Sequence, residues 1–282
     1  MHSDQKKIII NFTPTGMIPT KEITPYVPIT PDEIVEDVLE CAKLGANITH
    51  IHACDEFGNR TYRKDYFEKI ISGIREHSDI VISVTCSGRN YSELEKRAEV
   101  LNLSSKFKPE MASLTLSSLN FNRIASVNSP DVIKSLASRM LAQGIKAELE
   151  VFDLGMVNYA KYLISKGFLK PPFYFNIILG NIACAQARPL HLGLILEELP
   201  NNSVVTVGGI GNFQHSMNIM GILFADGARV GLEDNIYFDI ERKKLATNWE
   251  MVKRITNQID ALGYKIASPG DVREFLELPS YW

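Results

Sequence analysis

The chain predicts an α/β fold, a single (β/α)8 barrel filling residues 1–282 as one domain, and three observations carry that prediction. Eight short apolar or alternating runs recur along the sequence, a segment of helical period follows each one, and no Pro/Gly/Ser-rich linker or shift of composition divides the series. A doubly wound open sheet is the rival arrangement, but it needs fewer strands or a second domain. The length of 282 residues, with 45% hydrophobic and 22% charged side chains, suits one barrel with a large core.

The first expected strand is 8–12, and the helix after it, 31–44, opens on Thr30-Pro31-Asp32-Glu33, a capping side chain followed by proline at the first helical position. The second strand, 47–53, ends in two histidines and is followed by helical spacing over 65–76. Strand 80–86 alternates hydroxyls with apolar residues, and 92–103 reads as its helix. Strand 111–115 precedes helix 130–142, which starts at Ser129-Pro130-Asp131. Strand 146–152 alternates acidic and apolar residues before helix 155–167, and the apolar run 173–179 precedes helix 188–199. Strand 203–207 leads through glycines into helix 212–224, and strand 228–231 is followed by helix 248–262. The piece 269–282, starting at Pro269-Gly270-Asp271, reads as a short closing helix and tail.

Charge narrows the partners. Thirty basic residues against 33 acidic ones leave a net charge of -3, with no footprint for nucleic acid or an anionic membrane, so small molecules and copies of the same chain are expected. Cys41, Cys54, Cys86 and Cys184 are far apart and form no Cys-x-x-Cys pair, which argues against a zinc ribbon or a disulfide framework and for a reducing, cytoplasmic setting. The start, Met1 to Lys7, runs into a strand too short for a signal sequence, and no segment has the length of a membrane span.

Active sites of this barrel gather at the C-terminal ends of the strands, which directs attention to Thr49-His50-Ile51-His52-Ala53-Cys54-Asp55. Side chains at i and i+2 of a strand share a face, so His50 and His52 stand roughly 6–7 Å apart and can close on one metal ion. Two core histidines held by hydrogen bonds are the plainer alternative. Glu233 ends the eighth strand, which in a closed barrel flanks the first strand opposite the second, so it can approach the histidines and complete a His/His/acid set. Otherwise Glu233 is a salt-bridge partner of Arg229, four residues back. Cys54 continues the alternation, but it lies roughly 13 Å from His50 along a strand, so one ion takes 50/52 or 52/54. The histidine pair is preferred, with Cys54 as a small pocket-lining residue.

Other candidates line the same end. Strands three and four alternate Ser83/Thr85/Ser87 and Ser113/Thr115/Ser117, of which the outermost, Ser87 and Thr115, are expected to touch substrate. In Glu148-Leu149-Glu150-Val151 the apolar residues face the helices, so Glu148 and Glu150 point inward and need cations, Arg229 being a candidate. Glu150 joins the expected substrate contacts. Gly208-Gly209-Ile210-Gly211-Asn212 follows the strand where barrels often hold phosphate on backbone N–H groups, so Gly209 and Gly211 are candidates for a phosphate-bearing cofactor such as coenzyme A; a glycine turn into a helix explains them equally well. Asp234 is free to act as a base or to cap the next turn.

With the strands placed, the chain resembles the β-keto acid cleavage enzymes, whose best-known type is 3-keto-5-aminohexanoate cleavage enzyme. The resemblance covers nearly the whole length. It rests on Thr15-Gly16-Met17-Ile18-Pro19-Thr20, Pro28-Ile29-Thr30-Pro31-Asp32-Glu33-Ile34, His50-Ile51-His52, Pro109-Glu110-Met111-Ala112-Ser113-Leu114 with Asn120-Phe121, Glu148-Leu149-Glu150-Val151-Phe152-Asp153, and Arg229-Val230-Gly231-Leu232-Glu233-Asp234-Asn235. It implies a TIM barrel with a divalent metal, usually zinc, on His50, His52 and Glu233, and Asp234 with Arg229 as catalytic base and helper. The implied reaction joins a β-keto acid with acetyl-CoA and yields acetoacetate and a new acyl-CoA, Asp234 taking a proton from the acetyl methyl. A homo-oligomer is also implied, and the end Ser280-Tyr281-Trp282 offers a surface for a neighbour.

Three departures from the family pattern bear on substrate. Many members have arginine at Cys54, the type enzyme has a glutamate where Ile18 falls, and relatives tend to have arginine at Asn212. Losing the acid argues against an amino-substituted substrate. A metal-dependent hydrolase or simple aldolase is the competing enzyme reading, and a metabolite-binding barrel without activity the third. Hydrolysis is disfavoured because amidohydrolases need histidines on the fifth and sixth strands, and 146–152 and 173–179 contain none.

Overall fold

Eight parallel strands close into a barrel in the computed structural model, which describes residues 6–281. The first five residues and Trp282, with the reading of the extreme N-terminus and the last residue of the tail, lie outside the described residues. The staves are β1 (Lys7–Phe12), β2 (Ile48–Ile51), β3 (Val81–Val84), β4 (Met111–Thr115), β5 (Lys146–Val151), β6 (Phe173–Leu179), β7 (Ser203–Gly209) and β8 (Gly227–Val230). Closure comes from β8 pairing in parallel with β1, Ile9 opposite Gly227 and Phe12 opposite Val230. Every stave thus has a stave on either side, β1 pairing also with the short Lys265–Ile266 strand, and the barrel has no open edge.

The helices are α1 (Pro31–Lys43), α2 (Lys64–Arg75), α3 (Leu94–Ala98), α4 (Pro130–Gln143), α5 (Leu154–Ser165), α6 (Pro189–Glu197), α7 (Gln214–Phe224), α8 (Asn248–Ala261) and α9 (Pro269–Leu276). The expected starts of α1 and α4 are present: Thr30 accepts the Glu33 N–H in a capping box, and Ser129 accepts that of Val132. Two spans differ from expectation. The segment 92–103 is a short α3 that tightens into a 3-10 turn over Glu99–Asn102. The second strand stops at Ile51, and Ala53–Cys54 turns away to pair antiparallel with Arg60–Thr61, with Asp55 accepting the turn amides of Phe57 and Asn59.

Apolar side chains on the outer face of the staves pack under the helices in the main core. A smaller cluster of Ile9, Ile48, Val81, Met111 and Tyr174 fills the barrel floor, closed below by Val272 and Leu276 of α9. Above that floor the interior turns polar, with Asn11, His50, Ser83, Glu148, Asn176, Thr206 and Arg229 all buried. Such a layer is stable only when its members satisfy one another, and those bonds position the site.

Candidate active site

Glu148, on β5, is the hub of the polar layer. Its Oε2 accepts from His50 Nδ1 at 2.7 Å and Ser83 Oγ at 2.5 Å, and its Oε1 accepts from Asn11 Nδ2 at 2.9 Å and Asn176 Nδ2 at 2.8 Å. Burial pushes this carboxyl up, but His50 outweighs it and brings it down to about 2. Conversely, burial pulls His50 down and the Glu148 charge overcomes it, raising His50 to about 9. With Nδ1 engaged by the carboxylate, His50 presents Nε2 to His52.

At the mouth, His50 Nε2 lies 3.3 Å from His52 Nε2, and His52 Nε2 lies 3.2 Å from Glu233 Oε1. The three ligand atoms all fall within 4.8 Å of one another. Tetrahedral zinc with bonds of about 2.0–2.1 Å sets its donors roughly 3.3 Å apart, so the spacing fits. Glu233 Oε2 is buried with no hydrogen-bond partner, a second sign that the group faces something beyond the protein. Local backbone explains how Glu233 arrives. Gly231, at φ 154, lies against the Thr13 carbonyl, and a side chain at Gly16 would collide with Glu233 itself.

Arg229 donates to Asp234 through Nε at 2.7 Å and Nη2 at 3.3 Å, and its Nη2 also lies 3.1 Å from Glu233 Oε1. Burial pushes both carboxyls up. For Glu233 the pull of Arg229, His52 and His50 wins and holds it well below the usual range, whereas Asp234 stays above its ordinary value. Two adjacent carboxylates with oppositely moved affinities suit two roles, an ionised ligand and a proton acceptor.

Several sequence expectations change here. Arg229 was expected as the cation for one of the strand-five glutamates; the structure pairs it with Asp234 and Glu233, and Glu148 finds His50 instead. Metal ligation and the Arg229 salt bridge were alternatives for Glu233, and its Oε1 faces both groups. Cys54 Sγ accepts from Arg60 and stands outside the ligand cluster. Ser87, Thr115 and Glu150 line one cavity with His52, Glu233 and Asp234, and Thr115 donates to Glu150 at 2.5 Å. Burial raises Glu150 above its usual value. Gly209 ends β7, where a side chain would meet the Phe213 backbone, while the Gly211 N–H donates to the Asp234 carbonyl at 2.7 Å. That amide is therefore engaged within the protein. Met17 lines the cavity, whereas Ile18 points out at 58% exposure.

Two arginines of the site escaped sequence reading. Arg89, just past the β3 hydroxyls, lies over the Phe121 ring at 3.6 Å in the same cavity; its Nε has no hydrogen-bond partner. Arg60 comes from the far side of the hairpin, opposite Cys54. The basic residue after Ser87-Gly88 was a visible signal for Arg89. For Arg60 the Asp55–Gly58 turn was the signal, once strand two was ended early.

Comparison with known proteins gives the family and the fold. The profile of the beta-keto acid cleavage enzyme family matches residues 7–278. A 3-keto-5-aminohexanoate cleavage enzyme of Fusobacterium nucleatum subsp. nucleatum is 35% identical over 277 residues, 97% of this chain and 98% of the relative. A 3-oxoadipate:acetyl-CoA acetyltransferase of Cupriavidus necator is 30% identical over 279 residues, 96% of this chain and 95% of the relative. The apo structure of ObcA superposes with a TM-score of 0.80 at 20% identity, covering 90% of this chain and 66% of that one, a likeness of fold. The chain is an enzyme of the beta-keto acid cleavage enzyme family.

Proposed function

We propose that this enzyme condenses a β-keto acid with acetyl-CoA and cleaves the adduct to acetoacetate and a new acyl-CoA, using a divalent metal, zinc by preference. The observation that carries the reading is the Asp234–Arg229 pair beside a His50/His52/Glu233 set of ligand spacing, at a cavity lined by His52, Arg229, Glu233 and Asp234. A divalent ion there would supply Lewis-acid polarisation of the substrate's keto oxygen.

Atom balance identifies the proton that moves. Acetoacetate is an acetyl unit joined to a CH2–carboxylate unit, and only the β-keto acid supplies the latter. The bond formed is therefore between the thioester carbonyl carbon and C2 of the keto acid, and the bond broken is C2–C3. Asp234 takes its proton from C2, the more acidic carbon, rather than from the acetyl methyl as the resemblance first suggested. The coenzyme A thiolate leaves the acetyl carbon and attacks C3; cleavage returns electrons to C2, and Asp234 gives the proton back. Arg229 orients Asp234 through two hydrogen bonds. Ser87, Thr115 and Glu150 line the cavity as substrate contacts, and Arg89, without an ion pair among the described residues, suits the carboxylate next to C2.

Gly209 and Gly211 remain the proposed coenzyme A approach, through the turn surface rather than through the engaged Gly211 amide. A cytoplasmic homo-oligomer completes the reading, supported by the four free cysteines for a reducing compartment. No helix among the described residues is long and apolar enough to cross a membrane. The test is incubation of metal-loaded enzyme with acetyl-CoA and cationic, neutral and anionic β-keto acids. Acetoacetate from at least one supports the proposal, and silence across all of them with zinc bound rejects it.

A further inference from the structure

Beside His52 a side cavity opens between the 53–61 hairpin and the chain that runs from β3 into α3. It shares Met17, His52, Thr85 and Ser87 with the main cavity, so a substrate held at the metal ligands can extend into it. Its charge is one-sided: Arg60, Lys96 and Arg97 line it, and no Asp or Glu does. Lys96 pairs with Glu93 at the exposed rim, 2.8 Å away. Arg97 is held by the Cys86 carbonyl at 2.8 Å and Asn128 Oδ1 at 2.7 Å.

Arg60 is different. It is 9% exposed, and its guanidinium donates only to Cys54 Sγ and the Pro19 carbonyl, each at 2.5 Å, with no carboxylate at ion-pair distance among the described residues. A guanidinium has five donors, and burying its charge without an anion is costly, so the arrangement favours an anion from outside. The same wall holds no carboxylate to pair with an ammonium group.

We propose that Arg60 receives a second, distal carboxylate, so that the substrate is a β-keto diacid rather than a neutral or amino-substituted β-keto acid. This rests on the β-keto acid reading and names its substrate class. The carboxylate sits in the plane of the guanidinium, while the reacting end lies at His50, His52 and Glu233.

The experiment compares kcat/KM with acetyl-CoA for a six-carbon β-keto diacid, the counterpart ending in methyl, and the counterpart bearing an amine, in the native enzyme and in R60Q and R60K. The native enzyme should favour the diacid over the methyl counterpart by roughly 10- to 100-fold, the range expected for a charge-assisted contact. R60Q should collapse that ratio toward one, and R60K should restore part of it. Preference of the native enzyme for the neutral or amino acid overturns the inference without any variant. Equal loss on all substrates in R60Q also overturns it. So does an R60Q effect on KM for acetyl-CoA that vanishes with acetyl-pantetheine, because the anion is then a coenzyme A phosphate. No turnover of any acid would instead reject the β-keto acid reading itself, whereas turnover without diacid preference rejects only this inference.

Discussion

Replacing Glu148 by glutamine tests how the site is held. All four groups around that carboxylate are donors: His50 Nδ1 and Ser83 Oγ on one oxygen, Asn11 and Asn176 amides on the other. Glutamine keeps the shape but turns one oxygen into an NH2, so either the two asparagine amides face a donor or His50 and Ser83 must turn from donor to acceptor. If the NH2 faces His50, the imidazole must move its proton to Nε2, the nitrogen that points at His52. Loss of such an outer partner lowers metal affinity by about 10- to 100-fold, equivalent to roughly 1.4–2.8 kcal/mol. Each asparagine amide left facing the NH2 costs about 1–3 kcal/mol, so in that orientation the metal-free protein should lose roughly 2–6 kcal/mol of stability. The assay is zinc competition against a chromophoric chelator, run below the melting range, with urea unfolding of the chelated protein. S83A, which removes one donor and leaves the charge, should cost only about 0.5–1.5 kcal/mol. An E148Q protein that binds zinc within twofold of native and unfolds within about 0.5 kcal/mol of it would refute the argument.

Other perturbations give equally definite outcomes. G16A drives a methyl into Glu233 and should weaken metal binding while circular dichroism stays native; unchanged affinity would show that Glu233 is not held by that contact. D234N keeps the Arg229 contact but cannot accept the C2 proton, so kcat should fall by about 10²- to 10⁴-fold with metal content unchanged, and native turnover would remove Asp234 from the mechanism. Asp37 on α1 is pushed up to about 7 by burial, so its ionised form destabilises the fold. Because its folded affinity exceeds the ordinary 3.8, the penalty is full above about pH 7 and absent below about pH 4. D37N should therefore be the more stable protein at pH 8, by a few kcal/mol at most, with the difference vanishing near pH 4; an advantage that does not change with pH would contradict this.

Much of this architecture is legible before folding because barrel strands announce themselves by period. The run Phe173–Leu179 could hardly be anything else, and the His50/His52/Glu233 set follows from two facts, alternation along β2 and the adjacency of β8 and β2 to β1. Alternation also puts Glu148 and Glu150 inside, but not their partners. Partner choice depends on reach within the barrel: Glu148 meets His50, Ser83, Asn11 and Asn176, whereas Arg229 reaches Glu233 and Asp234 beyond the end of its own strand. The hairpin is hidden in the sequence, since Ala53 and Cys54 continue the alternation of strand two while their hydrogen bonds go to another partner. For the same reason Arg60 could not be placed beside Cys54. The Gly209–Gly211 turn is ambiguous by nature, because a tight turn and a phosphate cradle demand the same residues.

One labelled substrate tests the exchange of carbon partners. Acetyl-CoA carrying carbon-13 at both acetyl carbons should deliver both labels, still bonded to each other, to the methyl ketone end of acetoacetate, and none to the new acyl-CoA. Label in the acyl-CoA, or in free acetate without acetoacetate, would contradict it.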